Sequence, residues 1–357
     1  MQLRLLTVVP ICNLHPLRGT QQLLSNHLSG LLWLLAAALA SLLTSGAHSR
    51  TLTVGDDATY ARPSDAARVA KAGDRILIQP GTYYDCSVWA ADWLVIEGSG
   101  NDTILTDTIC QDKAILITRG RGITIQDLVL SRARSRDGNG AGIRAESPDL
   151  RISRVTFTDN QVGLLAGDLH TGEMRIEECA FVRNGSSDAT RSTPSLVVGS
   201  WSKLIIQRSQ FKRVLGQFAV LSRSAMTEID DSEISAPERA EGAAIQISGG
   251  LRIERSILDL TPGPSSGRPA IIVLPSSHPD TSITLRQNTL QGTGTLLLNW
   301  SGLASIAEEN LLTAGSTLES TSGTWSYRIR SSIRDALQTA RAVSQAFKRH
   351  LVERLLR

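Results

Sequence analysis

The sequence predicts an all-β chain wound into a parallel β-helix solenoid, with a capping helix before it and an amphipathic α-helix after it. One observation is an eight-residue phrase that recurs: ITIQDLVL at Ile123, LRISRVTF at Leu150, MRIEECAF at Met174, LIIQRSQF at Leu204, TEIDDSEI at Thr227, LRIERSIL at Leu251, ITLRQNTL at Ile283 and, more weakly, SIAEENLL at Ser305. The starts are 27, 24, 30, 23, 24, 32 and 22 residues apart, and a period of roughly 20–50 residues marks a solenoid or an array. A second is the alternation inside the phrase. Positions 1, 3 and 8 are apolar in most copies, whereas positions 2 and 4 are mostly polar, as in Arg151 and Ser153 or Arg252 and Glu254; period two is a half-buried strand. The third is another apolar run 12 to 21 residues after each phrase begins, at Gly142, Gly163, Ser195, Phe218, Ala243, Ala270 and Thr295. Leucine-rich repeats would need an L-x-x-L-x-L-x-x-N frame, which is absent. A propeller would need about four strands in units of roughly 40 residues or more.

Residues 1–49 contain no acidic residue and only Arg4 and Arg18. A Leu/Ala-rich run from Leu28 to Leu43 precedes TSGAHS, so Ala47 and Ser49 stand at −3 and −1 of a cut before Arg50. This predicts an export signal, hence a periplasmic or extracellular protein. The leader is long for a signal, which points to a start downstream of Met1. The alternative is a membrane anchor over residues 28–45, although a run of about 16 residues is short of the ~20 that span comfortably. The expected division is therefore leader 1–49, solenoid 50–325 and C-terminal helix 326–357.

After the leader, Thr51–Val54 reads as a strand. Pro63 with Ser64 or Asp65 as caps opens a helix. Gly73-Asp74 turns the chain into Arg75–Gln79, and Pro80-Gly81 closes that strand. The open end of a solenoid exposes its core, and a helix at this point would cover it. The helix, then GDRILIQPGTYYD and WLVIEGSGNDTILTD, together with the wording of residues 123–167, resembles the right-handed parallel β-helix proteins of the pectin-lyase-like superfamily, in particular exported bacterial members without an assigned activity. The resemblance covers about residues 51–312 and speaks for the fold. It implies a lyase, hydrolase, epimerase or a protein without a reaction, since fold does not fix function.

Cys86 and Cys110 are 24 residues apart, about one coil. Stacked coils would bring them within disulfide reach in an exported protein; the alternative is two unpaired small residues in a turn column. The sixth position of the phrase is usually small (Cys179, Ser209, Ser232, Ser256, Asn288, Asn310), as an inward-facing turn requires, which makes Cys179 an inert core thiol. The eighth position should stack Phe157, Phe181 and Phe211, then Ile234, Leu258 and Leu290, into one column.

In Tyr327–Arg357, Ile329, Ile333, Leu337, Ala340, Val343, Phe347, Leu351 and Leu355 recur every three or four residues, the stripe of an amphipathic helix. Residues 326–357 carry +6 and the leader +2, so the net +3 of the whole chain leaves −5 on residues 50–325. The tail is expected to pack on the solenoid, lie on an anionic membrane surface or bind another chain. The acidic body, with no basic stripe interleaved with aromatics, excludes nucleic acid.

The resemblance makes a polysaccharide the expected partner. A lyase needs a base and a group that neutralises a uronate carboxylate, either basic side chains or Ca²⁺ held by Asp and Glu; a hydrolase needs paired carboxylates. No other cofactor and no dedicated metal site are expected. If Ile143, Leu164, Leu196, Ala219, Ile245, Ile271 and Leu296 point inward, the outward row of the second strand is Arg144, Leu165, Val197, Val220, Gln246, Ile272 and Leu297. It is too apolar for a sugar groove, so a loop, the C-terminal helix or a partner should cover it. Arg151, Arg175, Glu228 and Arg252, flanked by Glu177, Asp230, Glu254 and Arg286, read as a solvated charged face. The compact polar group is DLHTGE. Asp168, His170 and Glu173, with Arg144 one coil earlier, are the catalytic candidates, and Asp137, Glu146, Trp201 and Arg223 the substrate-binding ones; Asp230-Asp231 is a weaker group. Trp89, Trp93, Trp201 and Trp300 sit at loop-like positions, where they would stack on sugars or pack against turns. The resemblance implies His, Lys and acidic residues around PSLVVG, QFAVLSRS and EGAAIQISGG. Those stretches are largely apolar here, which speaks for a lost reaction.

Overall fold

The structure, a computed structural model, describes residues 49–186, 192–238, 242–263, 267–276, 278 and 281–320. The leader and the C-terminal segment 326–357 lie outside the described residues. No helix among those described is long and apolar enough to cross a membrane.

The chain winds as an all-β parallel solenoid of the right-handed type with about ten turns. Each phrase lies on its equivalent in the next coil in register. Ile125, Ile152, Ile176, Ile206, Ile229, Ile253 and Leu285 form one such row, and all are at most 1% exposed. Phrase strands join into one nineteen-stranded sheet, and the second apolar runs form a separate ten-stranded sheet. Both inner faces bury a single core, because like residues at a fixed offset fall above one another. The column at position eight holds as the spacing predicts. Phe157, Phe181 and Phe211 stack with ring centroids 4.4 Å apart and interplanar angles of 12° and 6°, and Ile234, Leu258 and Leu290 continue it in register. Glycine is required opposite: a Cβ on Gly163 would meet Phe181 Cδ1 at 2.7 Å.

Each phrase bends at position five. Asp127, Arg154, Glu178, Arg208, Asp231, Arg255, Gln287 and Glu309 all have φ between 46° and 56°, the left-handed region that favours glycine or asparagine. The strain is held from both sides. Outside, neighbouring corners pair their charges: Arg154 with Asp127 at 2.6 Å, Arg208 with Glu178 at 3.1 Å and Arg255 with Asp231 at 3.1 Å. Inside, the small sixth residues form a ladder in which each side chain accepts the backbone N–H of the coil before it. Ser209 accepts from Cys179, Ser232 from Ser209, Ser256 from Ser232, Asn288 from Ser256 and Asn310 from Asn288, at 3.0–3.2 Å. Those buried N–H groups would otherwise lack partners. A shorter ladder of Asn160 and Asn184 lines a second left-handed corner at Arg132, Asp159 and Arg183.

The disulfide Cys86–Cys110 is formed, with a Cα–Cα distance of 5.4 Å. Cys179 is buried, and burial pushes its thiol up to about 12. The helix Pro63–Val69 is present and buries Pro63 and Ala66. Its N-cap is Arg62, not Ser64 or Asp65, and no side chain caps it; Ser64 instead donates its N–H to Asp85, and Asp65 is held between Arg62 and Arg68. Two coils of the second sheet are also one residue out of the expected register. The inward residues are Val220 and Leu297, and the outward ones Leu221 and Leu298. Runs such as AVLS and TLLLN are apolar at successive positions, so alternation alone does not fix their phase.

Candidate functional site: a cationic edge of the second sheet

The second-sheet strands Ala114–Thr118, Ala141–Ala145, Val162–Ala166 and Val220–Ser222 end along one edge. The residues that follow them are Arg119, Glu146, Gly167-Asp168 and Arg223. Parallel pairing therefore gathers side chains from four coils although they lie up to about a hundred residues apart.

Glu146 accepts from Lys113 Nζ at 2.6 Å and from Arg119 Nε at 2.9 Å. Burial pushes its carboxyl up, but the two cations outweigh this and hold it below the usual carboxylate range. Asp168 Oδ1 accepts the Ser200 N–H at 2.7 Å and Arg223 Nη2 at 2.7 Å. Burial again raises the carboxyl, and the Ser200 amide and Arg223 overcome it. Gly199 makes this approach feasible, since a Cβ there would lie 2.6 Å from Asp168 Oδ1.

Arg144 stands in the outward row of the second sheet, between Ile117 and Leu165. It is 7% exposed, and its Nε has no hydrogen-bond partner among the described residues. Burial lowers its pKa, opposed by Glu146 nearby. Buried cations are ordinarily paired, yet the ion pairs of this edge pass Arg144 by. Lys113, Arg119, Arg144 and Arg223 face two carboxylates, Glu146 and Asp168, leaving the edge two positive charges in excess. Such an edge can receive an anion.

Of the sequence-predicted residues, Asp168 with Arg223 and Arg144 with Glu146 come together in this way. The others do not join them. His170 is exposed, with φ 58° and its backbone N–H on Ser200 O. Glu173 pairs with Arg175 at 2.8 Å, and Asp137 is an exposed turn residue. Trp201 is not available to stack on a sugar: it is 1% exposed and donates Nε1–H to Gly167 O at 2.9 Å. Trp89 is fully buried, whereas Trp93 is 58% exposed. Sequence reasoning missed Lys113 and Arg119. Their signal is the pair of cations bracketing the apolar strand in KAILITR. It also missed an open cavity of about 230 Å³ near the start of the solenoid, lined by Asp56, Arg62, Tyr83, Tyr84 and Asp85 among others. Among the described residues no group of three or more His, Cys, Asp or Glu side chains converges as a metal site would require.

No family model matches the chain, and no curated protein matches it. Solved structures do. A pectate lyase is 11% identical, with a TM-score of 0.50 over 77% of this chain and 83% of its own. An alginate lyase is 13% identical over 74% of this chain and 39% of its own, with a TM-score of 0.47. A pectin methylesterase from carrot is 14% identical over 79% and 92%, with a TM-score of 0.45. At such identities a likeness speaks for fold alone, and the fold is a parallel β-helix.

Proposed function

We propose that this chain is an exported β-solenoid that binds an acidic polysaccharide at the edge formed by Lys113, Arg119 and Arg144, without cleaving it. The observation that carries the reading is the Arg144 guanidinium, buried without a hydrogen-bond partner at Nε beside two further cations. A uronate carboxylate is the kind of group that would satisfy it, through charge-assisted hydrogen bonds in a site withdrawn from water. The parallel β-helix of a pectate lyase supports the same ligand class. Binding without cleavage is supported by the stretches PSLVVG, QFAVLSRS and EGAAIQISGG, which are largely apolar where the resemblance implies His, Lys and acidic residues. The leader and the Cys86–Cys110 bond support an oxidising compartment. The helix Pro63–Val69, with Ala66 in the core, serves as the N-terminal cap of the solenoid.

The test is retention of the full chain on pectate, alginate and a neutral glycan, with and without Ca²⁺, alongside Arg144→Met. Retention on acidic glycans only, weakened at least about tenfold by Arg144→Met and reduced by salt, supports the reading. No retention at millimolar glycan, or equal retention of Arg144→Met, refutes it. A gain of retention with Ca²⁺ would assign the ion a bridging role; product release would overturn the non-catalytic part.

A further inference from the structure

The outward row of the second sheet continues beyond Leu165. Val197, Leu221, Gln246, Ile272 and Leu298 follow in register. Their strand neighbours Leu196, Val220, Ile245, Ile271 and Leu297 fill the solenoid interior, so this row points away from the core. An outer row on a solvated sheet stays wet, because its neighbours above and below shield only its flanks. Here Leu221 is 6%, Gln246 3%, Ile272 2% and Leu298 3% exposed. Leu221, Ile272 and Leu298, with Phe218, Ala243 and Leu274, form a hydrophobic cluster separate from the main core.

We infer that this outer seam is the seat of the chain's own C-terminal segment, laid along it as an amphipathic helix through Ile329, Ile333, Leu337, Ala340, Val343 and Phe347. The chain leaves at the right place: the last described strand, Thr317–Ser320, pairs with Gly294–Asn299 in this same sheet, and 37 residues follow it. The spacing matches. A helix advances about 5.4 Å per turn and the coils about 4.8 Å, so successive apolar turns meet successive outward residues. Ile329–Phe347 would extend about 28 Å over a row about 19 Å long. The charges complement one another, +6 on the segment against −5 on the body. This seam lies beyond the Arg144 edge, and the inference does not depend on polysaccharide binding.

The experiment uses the full chain carrying Cys12→Ser, with Ile272→Cys and maleimide labelling, alongside exposed Thr293→Cys as reference. The buried Cys179 thiol, pushed up to about 12, stays silent. Ile272→Cys should label at least about tenfold more slowly than the reference. Adding Leu337→Asp, Val343→Asp and Phe347→Asp should raise the rate to near that of the reference. Ser331→Asp with Gln338→Asp, on the opposite face of the same helix, should leave it slow. Thermal melts by circular dichroism establish that each variant keeps its fold. Three results would overturn the inference: fast labelling with the natural tail, slow labelling that persists after the apolar substitutions, or slow labelling that relaxes on dilution, which would assign the cover to a second copy.

Discussion

Removing the ring of Phe181 tests the solenoid at its centre. The side chain is fully buried and stacks on Phe157 from one side and Phe211 from the other, 4.4 Å away in each case. Phe181→Ala deletes a buried ring that sits between two others and should cost about 3–5 kcal/mol. Each stack contributes about 0.5–1.5 kcal/mol beyond burial, so the coupling must follow the geometry. In double-mutant cycles by urea unfolding with Leu replacements, Phe157/Phe181 and Phe181/Phe211 should each couple by that amount. Phe157 and Phe211, two coils apart, should add to within about 0.5 kcal/mol. The m-value should stay constant across the series so that midpoints report stability. A coupling between the outer pair as large as either neighbouring one, or a cost below about 1 kcal/mol for Phe181→Ala, would refute coil-by-coil stabilisation.

Reducing Cys86–Cys110, or replacing both with Ser, should lower stability by about 3.5 kcal/mol for a loop of this length; urea midpoints with and without reductant measure it. Arg144→Met should raise stability by about 1–3 kcal/mol while weakening glycan retention, since it removes a buried cation lacking a partner; a destabilised variant with intact retention would make Arg144 structural. Glu146→Gln should lose stability near neutral pH. The folded carboxyl lies below its usual 4.5, so its contribution is present above that value and fades as pH falls through the folded pKa; the gap between the two proteins, followed by urea midpoints, should close on acidification. Cys179 should resist iodoacetamide in the native protein and react on unfolding, because burial holds the thiol protonated.

The sequence displayed much of this fold because a solenoid writes its core as a period. The phrase gave the strands, position eight the Phe column, position six the inner ladder and the Cys spacing the disulfide. The left-handed corners were silent. Asp127, Arg154 and Glu178 stand where glycine or asparagine would have been the signal, and their conformation is enforced by stacking, which exists only after the coils meet. The site was legible in pieces. Asp168 and Arg223 are 55 residues apart, and nothing local says that a strand end two coils later supplies the cation. Trp201 looked exposed because it follows a strand, while its indole turns inward to Gly167 O.

The corner charges carry one further consequence. Along the stack they run Asp127, Arg154, Glu178, Arg208, Asp231 and Arg255, and each cation bridges to the preceding anion. The structural unit is one coil, but the unit of sign is two. Copying or deleting a single coil within this stretch would set like charges side by side in strained corners, an arrangement that destabilises sheets. Copying or deleting two restores the alternation. A change of length by pairs of coils therefore keeps every corner cation beside an anion, whereas a change by one coil does not.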